Sequence, residues 1–222
     1  MPFSLFICDC DGVLVDSEVL ACRVDAEELA RRGFADYTLE TVLRRFAGVS
    51  QADFMATVER ETGRSLGEDF AEAVASRVKE LLRTELQPLP DVGAILASLP
   101  LSKCVASSSA PAKLDLALTV TGLKGQFAPH IFSSVMVERG KPAPDLFLYA
   151  ANALETPAER CCVIEDSVAG VTAARAAGME VIGFTGGAHC GPNHAERLRE
   201  HGASTTVERW TDVPAALERL AS

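Results

Sequence analysis

The sequence lacks an excess of basic residues, and this absence limits the partners that the protein can attract. Lysine and arginine together number 21 against 31 aspartates and glutamates, which gives a formal net charge of -10 and a sequence pI near 4.9. Such a chain has no positive field to draw in nucleic acid or an anionic membrane surface. We therefore expect neither a nucleic-acid partner nor a membrane partner.

The sequence also lacks long apolar runs and the marks of an export signal. A charged residue interrupts every apolar stretch before it reaches the roughly 18 residues that a membrane helix needs. Residues 1–4 carry no basic flank, and no small-residue cleavage site follows them. These absences predict a cytoplasmic protein, and we expect it to be a monomer.

Paired cysteines are absent as well. The seven cysteines are odd in number and include no repeated C-x-x-C pair, a pattern typical neither of a disulfide framework nor of a zinc site. Reduced structural thiols are the simplest interpretation. The loop 185–194 adds two histidines to Cys190, but their spacing matches no compact set of metal ligands. We interpret this segment as a flexible loop near the active edge and keep a metal site as the alternative.

What the chain does contain is enough apolar sequence for a core, arranged in two kinds of pattern. Hydrophobic residues make up 48% of its 222 residues, which allows a substantial buried core. A short apolar run over Phe3–Cys8 predicts one buried strand. Residues 17–86 then show helical periodicity, and breaks at Gly33, Gly48 and Gly63 predict about four helices with no strand.

After residues 87–90, which include two prolines, short apolar runs alternate with helical stretches. Alternation of this kind is typical of parallel strands joined by crossover helices. The chain is therefore predicted to form an α/β domain from residues 1–16 and 87–222, with an all-helical insert at 17–86. The predicted strands are 103–106, 130–133, 161–164 and 180–184, and the predicted helices are 92–99, 112–121, 144–154 and 168–177.

Polar side chains follow three of the predicted strands, at the carboxyl ends where ligands bind in an open parallel sheet. They are Asp9 and Asp11, the serines 107–109, and the pair Glu165 and Asp166. Asp9 and Asp11 would repel each other on one face of a strand unless a cation or a shared proton relieves them, and a hard divalent cation such as magnesium is the simpler of the two. The alternative is that these two acids cap a tight turn before a helix.

Four segments resemble the motifs of the haloacid dehalogenase-like superfamily, in the order that the family has them. The resemblance spans nearly the whole chain and extends to the subgroup of β-phosphoglucomutases and sugar phosphatases that carry a helical cap. It implies a Rossmann-like parallel-sheet catalytic core with an inserted all-helical cap domain. The four segments are Phe6–Glu18 (FICDCDGVLVDSE), Val105–Ser109 (VASSS), Arg139–Asp145 (RGKPAPD) and Val163–Gly170 (VIEDSVAG).

The resemblance also implies a role for each matching residue. Asp9 would accept the phosphoryl group as nucleophile, and Asp11 would act as general acid and base. Lys141 would neutralise charge that the phosphate shares with Asp9. The implied ligands of Mg²⁺ are Asp9, Asp11 through its backbone carbonyl, Glu165 and Asp166. The implied phosphate-binding or substrate-binding residues are Ser107, Ser108, Ser109, Arg45 and Gln51.

The favoured activity is magnesium-dependent hydrolysis of a sugar phosphate or sugar-acid phosphate through an aspartyl phosphate on Asp9. The segment Arg44–Ser50 is similar to phosphatases for such substrates, including those for 6-phosphogluconate. A sugar phosphomutase is the alternative, although Gln51 stands where mutases carry an arginine and Ala21 where they carry a histidine. A second alternative is a non-catalytic binding protein on the same fold, which the full set of motif residues disfavours.

Overall fold

The computed structural model describes residues 3–47 and 49–221. By the contacts within the chain it divides into two compact units, Met1–Asp16 with Gln87–Ser222, and Ser17–Leu86. The first unit contains the sheet, and the second is helical. The roles of these units as catalytic core and cap stay predictions.

The described part of the helical unit contains four helices, as the periodicity predicts. The break predicted at Gly33 follows the first helix, and Gly63 ends the third with a positive φ of 64° that favours glycine. The break predicted at Gly48 lies outside the described residues. The helices are α1 (Ser17–Arg31), α2 (Leu39–Phe46), α3 (Gln51–Thr62) and α4 (Phe70–Thr84).

Aromatic side chains build the core of the helical unit. Phe46 and Phe54 meet edge to face with their ring centroids 4.8 Å apart, and Phe70 stacks on Phe54 at 6.2 Å. Each of the three is buried, and burying one such side chain stabilises a fold by about 1.5–3 kcal/mol. The helical unit therefore has an apolar core of its own.

In the other unit, the described residues form a sheet of six parallel strands in the order β3-β2-β1-β4-β5-β6. The predicted α/β fold class is confirmed. The strand at the centre, β1, is buried along its whole length, and its Ile7 pairs with Cys104 on one side and Val163 on the other. The strands are β1 (Leu5–Cys8), β2 (Ser102–Ser107), β3 (Ile131–Ser133), β4 (Cys161–Glu165), β5 (Glu180–Phe184) and β6 (Thr205–Val207).

Helices connect these strands, as crossovers between parallel strands require. Within the described residues, no helix is both long enough and apolar enough to cross a membrane. The structure adds the strand β6 and the helices Lys124–Phe127, His194–Glu200 and Val213–Leu220 to the elements that the sequence predicts. The helices are α5 (Val92–Ser98), α6 (Pro111–Val120), α7 (Lys124–Phe127), α8 (Asp145–Ala153), α9 (Val168–Ala176), α10 (His194–Glu200) and α11 (Val213–Leu220).

Candidate active site

Three polar strand ends lie side by side in the sheet. Asp9 follows β1, Ser107 ends β2 and Glu165 ends β4, and β1 pairs with both of the other strands. Because all three strands are parallel, their carboxyl ends meet at one edge. The structure therefore brings together, on one sheet edge, residues that the chain order separates widely.

Lys141 joins two of these acidic side chains. Its Nζ atom lies 2.5 Å from Asp9 Oδ1 and 2.6 Å from Glu165 Oε1, and its side chain is 3% exposed. Burial alone would lower the pKa of Lys141, but the two carboxylates outweigh it and raise the pKa above its usual value. The lysine is therefore a buried cation placed directly against Asp9.

The carboxylates of Asp9, Glu165 and Asp166 form a compact buried cluster. One oxygen of each lies within 4.8 Å of the others. Burial raises the pKa of Asp9 well above its usual value, against the opposing effect of the Lys141 charge. Burial also raises the pKa of Asp166, to about 6. So much negative charge in one buried place fits a hard divalent cation, and an all-oxygen donor set is the kind that magnesium prefers.

Two glycines allow these carboxylates to approach the backbone. A Cβ atom on Gly12, which has a φ of +77°, would overlap the carboxylate of Asp166. A Cβ atom on Gly170 would overlap the carboxylate of Glu165. Glu165 Oε2 also accepts hydrogen bonds from the Ser167 backbone N–H at 2.7 Å and from its hydroxyl at 2.9 Å. Gly12 in the loop after β1 and Gly170 in α9 thus leave room for the two carboxylates, and Ser167 orients that of Glu165.

Asp11 has a different environment from the carboxylate cluster. Ser109 Oγ donates a hydrogen bond to Asp11 Oδ2 at 2.5 Å, and Lys113 Nζ lies 2.8 Å from Asp11 Oδ1. Its side chain is 17% exposed, which is compatible with proton exchange with substrate or water. Sequence reasoning missed Lys113, whose only signal is its place in the first turn of the helix after the serines.

The serine loop after β2 is held by a second set of serines. Ser133 Oγ donates to the Ser109 carbonyl at 2.7 Å, and Ser134 Oγ donates to the Ser108 carbonyl at 3.0 Å. Ser107 Oγ accepts a hydrogen bond from the Ser109 backbone N–H at 3.2 Å. These bonds fix the loop that the motif assigns to phosphate.

The loop after β5 contributes residues to the same edge. His189 Nε2 lies 2.8 Å from Asp166 Oδ2, and His194 Nε2 lies 2.6 Å from the Asp166 carbonyl oxygen. Burial lowers the pKa of His189, but its hydrogen bond to Asp166 outweighs this and raises the pKa to about 11. Sequence reasoning missed this contact between His189 and Asp166.

One expectation about this loop is wrong. Donor atoms of His189, Cys190 and His194 lie within 4.8 Å of one another, so their spacing does produce a compact set. Burial raises the pKa of the Cys190 thiol, but the two neighbouring histidines outweigh it and lower the pKa below its usual value. The loop folds back because Cys190 N–H and His194 N–H bond to nearby carbonyls within the segment.

The two residues predicted to bind substrate from the helical unit have partners inside that unit. Arg45 Nη2 lies 2.5 Å from Glu61 Oε1, and its guanidinium lies 4.8 Å from the ring centroid of Phe46. Gln51 Nε2 donates a hydrogen bond to Asp25 Oδ1 at 2.9 Å. Contact of Arg45 or Gln51 with substrate stays a prediction.

The arrangement of the four motifs agrees with comparisons to known proteins. The model of a protein family described as haloacid dehalogenase-like hydrolase matches residues 3–178. The chain belongs to this family. Its assignment as an enzyme is therefore confirmed, and the resemblance that the motifs carry is confirmed with it.

Curated relatives of this haloacid dehalogenase-like protein include phosphatases. The chain is 34% identical over 185 residues to the 6-phosphogluconate phosphatase of Escherichia coli, covering 83% of each chain. It is 32% identical over 180 residues to hexitol phosphatase A of the same organism, covering 80% of this chain and 81% of the relative. These names support the phosphoric monoester hydrolase class.

Solved structures of family members superpose closely. A haloacid dehalogenase-like protein of unknown function from Agrobacterium tumefaciens has a TM-score of 0.92 at 39% identity, covering 99% of this chain and all of that one. A family hydrolase from Deinococcus radiodurans was solved with bound phosphate and sodium. It has a TM-score of 0.87 at 32% identity, and the match covers 99% of this chain and 97% of that one. That relative therefore binds a phosphate and a cation.

Proposed function

We propose that this protein hydrolyses the phosphomonoester of a small sugar or sugar acid, with Mg²⁺ as cofactor and Asp9 as nucleophile. The observation that carries the proposal is the buried carboxylate of Asp9, which lies 2.5 Å from Lys141 and within the cluster formed with Glu165 and Asp166. The phosphatase names of the relatives support the substrate class.

The reaction consists of two transfers at the same aspartate. An oxygen of Asp9 attacks phosphorus, the bond from phosphorus to the leaving oxygen breaks, and Asp11 gives its proton to that oxygen. Water then attacks the aspartyl phosphate and loses a proton to Asp11, which releases inorganic phosphate and restores Asp9. Ser109 and Lys113 hold the Asp11 carboxylate for both proton transfers.

The remaining residues stabilise charge and orient the phosphate. Lys141 keeps a positive charge beside the attacking oxygen, where the phosphate brings further negative charge. The Ser107 hydroxyl and the Ser108 backbone N–H bind phosphate oxygens. Asp9, Asp11 through its carbonyl, Glu165 and Asp166 would hold Mg²⁺. When bound, Mg²⁺ supplies neutralisation of phosphate charge and alignment of its oxygens.

Hydrolysis is favoured over transfer of the phosphoryl group to a second hydroxyl of the substrate. A mutase needs a cation to bind the second phosphate. Gln51, which stands where mutases carry an arginine, is neutral and donates a hydrogen bond to Asp25. We therefore expect release of free phosphate. We also expect the protein to act as a monomer, without nucleic-acid or membrane partners.

Phosphate release from sugar, sugar-acid and polyol phosphates tests this proposal. We expect release that needs Mg²⁺, stops with EDTA, and falls by at least about 10³-fold in Asp9→Asn, since the nucleophile is lost. Asp115→Asn is the matched control, because Asp115 is an exposed acid paired with Lys124. If Asp9→Asn released phosphate at the wild-type rate, the proposal would be contradicted. Isomerisation of β-glucose 1-phosphate without phosphate release would identify a mutase instead.

A further inference from the structure

The loop before α10 and the first residue of that helix carry a second cluster of side chains that can bind metal, different in kind from the carboxylates. His189, Cys190 and His194 bring two imidazoles and a thiol within 4.8 Å of one another. We propose that these three residues bind a zinc ion, at a site that adjoins the predicted magnesium site but uses different residues.

The spacing of the donor atoms fits zinc. Cys190 Sγ lies 3.6 Å from His189 Nε2. A tetrahedral zinc ion with Zn–S near 2.3 Å and Zn–N near 2.0–2.1 Å holds its sulfur and nitrogen ligands about 3.5–3.6 Å apart. The two atoms thus already stand at the separation that a shared zinc ion requires. Three protein ligands leave the fourth position to a solvent oxygen.

The surrounding backbone holds the ligands in place before any metal binds. His194 Nε2 lies 2.6 Å from the Asp166 carbonyl oxygen, the kind of contact that fixes the ring of a metal-bound histidine. A Cβ atom on Gly187 would come within 2.6 Å of His189 Cε1, so glycine is needed there for the ring to lie where it does. The Cys190 N–H donates to the Gly187 carbonyl at 2.9 Å and closes the turn.

The chemistry of the donors selects against magnesium and for zinc. Magnesium prefers oxygen ligands, whereas a thiolate and two imidazoles suit zinc. On binding, the Cys190 thiol releases its proton to water and its sulfur bonds to the metal. His189 Nε2 likewise exchanges its contact with Asp166 Oδ2, at 2.8 Å, for the metal and releases its proton to water. Zinc at this site would therefore leave Asp166 free of His189.

Titration of the reduced, metal-free protein with Co²⁺ in excess Mg²⁺ tests the site. Mg²⁺ in excess fills oxygen ligands but does not compete for a thiolate. We expect a near-ultraviolet thiolate-to-cobalt charge-transfer band that saturates at one equivalent and disappears when Zn²⁺ displaces the cobalt. Cys190→Ser should abolish the band, and His194→Ala should weaken Zn²⁺ binding by at least about tenfold.

His201→Ala is the matched control, because His201 is an exposed histidine at the end of the same helix. This variant should bind both metals as the wild type does. Absence of the band in the wild-type protein would overturn the proposal without any variant. A band that survives in Cys190→Ser, or zinc binding lost in Asp9→Asn but kept in Cys190→Ser, would also overturn it. None of these measurements depends on phosphate release, so the proposed activity is tested separately.

Discussion

At the scale of single residues, the positive charge of Lys141 compensates the negative charge of the buried acids. Its side chain contacts both Asp9 and Glu165 and is almost fully buried. We expect Lys141→Met, measured in EDTA, to lower the free energy of unfolding at pH 7 by about 3 kcal/mol, because it leaves buried carboxylates without their partner. Urea unfolding followed by circular dichroism measures the change, and in a separate assay with Mg²⁺ phosphate release should be lost.

Lys124→Met is the control for this loss. Lys124 pairs with Asp115 at 2.5 Å, but both side chains are about half exposed. An exposed pair of this kind contributes at most about 1 kcal/mol, so the control should unfold close to wild type. Equal destabilisation by the two substitutions would contradict the role assigned to burial at Lys141.

The residues of the candidate site divide into those that the sequence could predict and those that it could not. Asp9, Lys141 and Asp166 belong to motifs at strand ends, so pattern and resemblance predicted them, and their roles stay predictions. No sequence motif predicts the contact of Lys113 with Asp11 or that of His189 with Asp166. These contacts arise when separate loops are brought to one sheet edge, which short-range spacing does not encode.

At the scale of elements, α1 and α3 share a buried acid. Asp25 on α1 is 7% exposed and accepts a hydrogen bond from Gln51 on α3. Burial raises the pKa of Asp25 from 3.8 to about 6. The folded state therefore keeps this proton to a higher pH than the unfolded state, and the free energy of unfolding falls as pH rises from about 4 to about 6.

Asp25→Asn removes this cost, because the amide oxygen can still accept from Gln51 while carrying no charge. We expect the variant to be more stable than wild type at pH 8 by up to about 3 kcal/mol and to approach it at pH 4. Urea unfolding at both pH values measures the difference. Asp36→Asn, at an exposed position, is the control and should change stability little at either pH. A pH-independent effect of Asp25→Asn would refute this explanation.

The sequence predicted most of the elements, and β6 and α10 illustrate why others were missed. The buried runs that became β1, β2, β4 and β5 and the four helices of the insert follow directly from their patterns. The short strand β6 has only three residues, and α10 reads HAERLRE with Leu198 as its buried residue. The strand β6 forms by pairing with β5 and α10 by packing against the sheet, and local sequence carries little signal of either.

At the scale of the whole molecule, the two units differ in how the chain builds them. The helical unit uses one continuous stretch, Ser17–Leu86, with an apolar core of its own. We expect a fragment of residues 17–86 to be helical by circular dichroism and to melt cooperatively, because its core contacts lie within the fragment.

A fragment of residues 87–222 is the comparison, and we expect it not to fold. It lacks β1, which lies between β2 and β4 at the centre of the sheet, so its two halves have no shared strand. A random-coil spectrum for the 17–86 fragment, or a cooperative transition in the 87–222 fragment, would contradict this view of the two units.

The central position of β1 has a consequence for synthesis on the ribosome. The strand emerges long before the neighbours that complete it, and Lys141 follows Asp9 by 132 positions. The helical unit can form while translation continues, whereas β1 waits as an exposed apolar segment until β2 and β4 are made. In the growing chain, Asp9 is therefore made well before the residues that form its final surroundings.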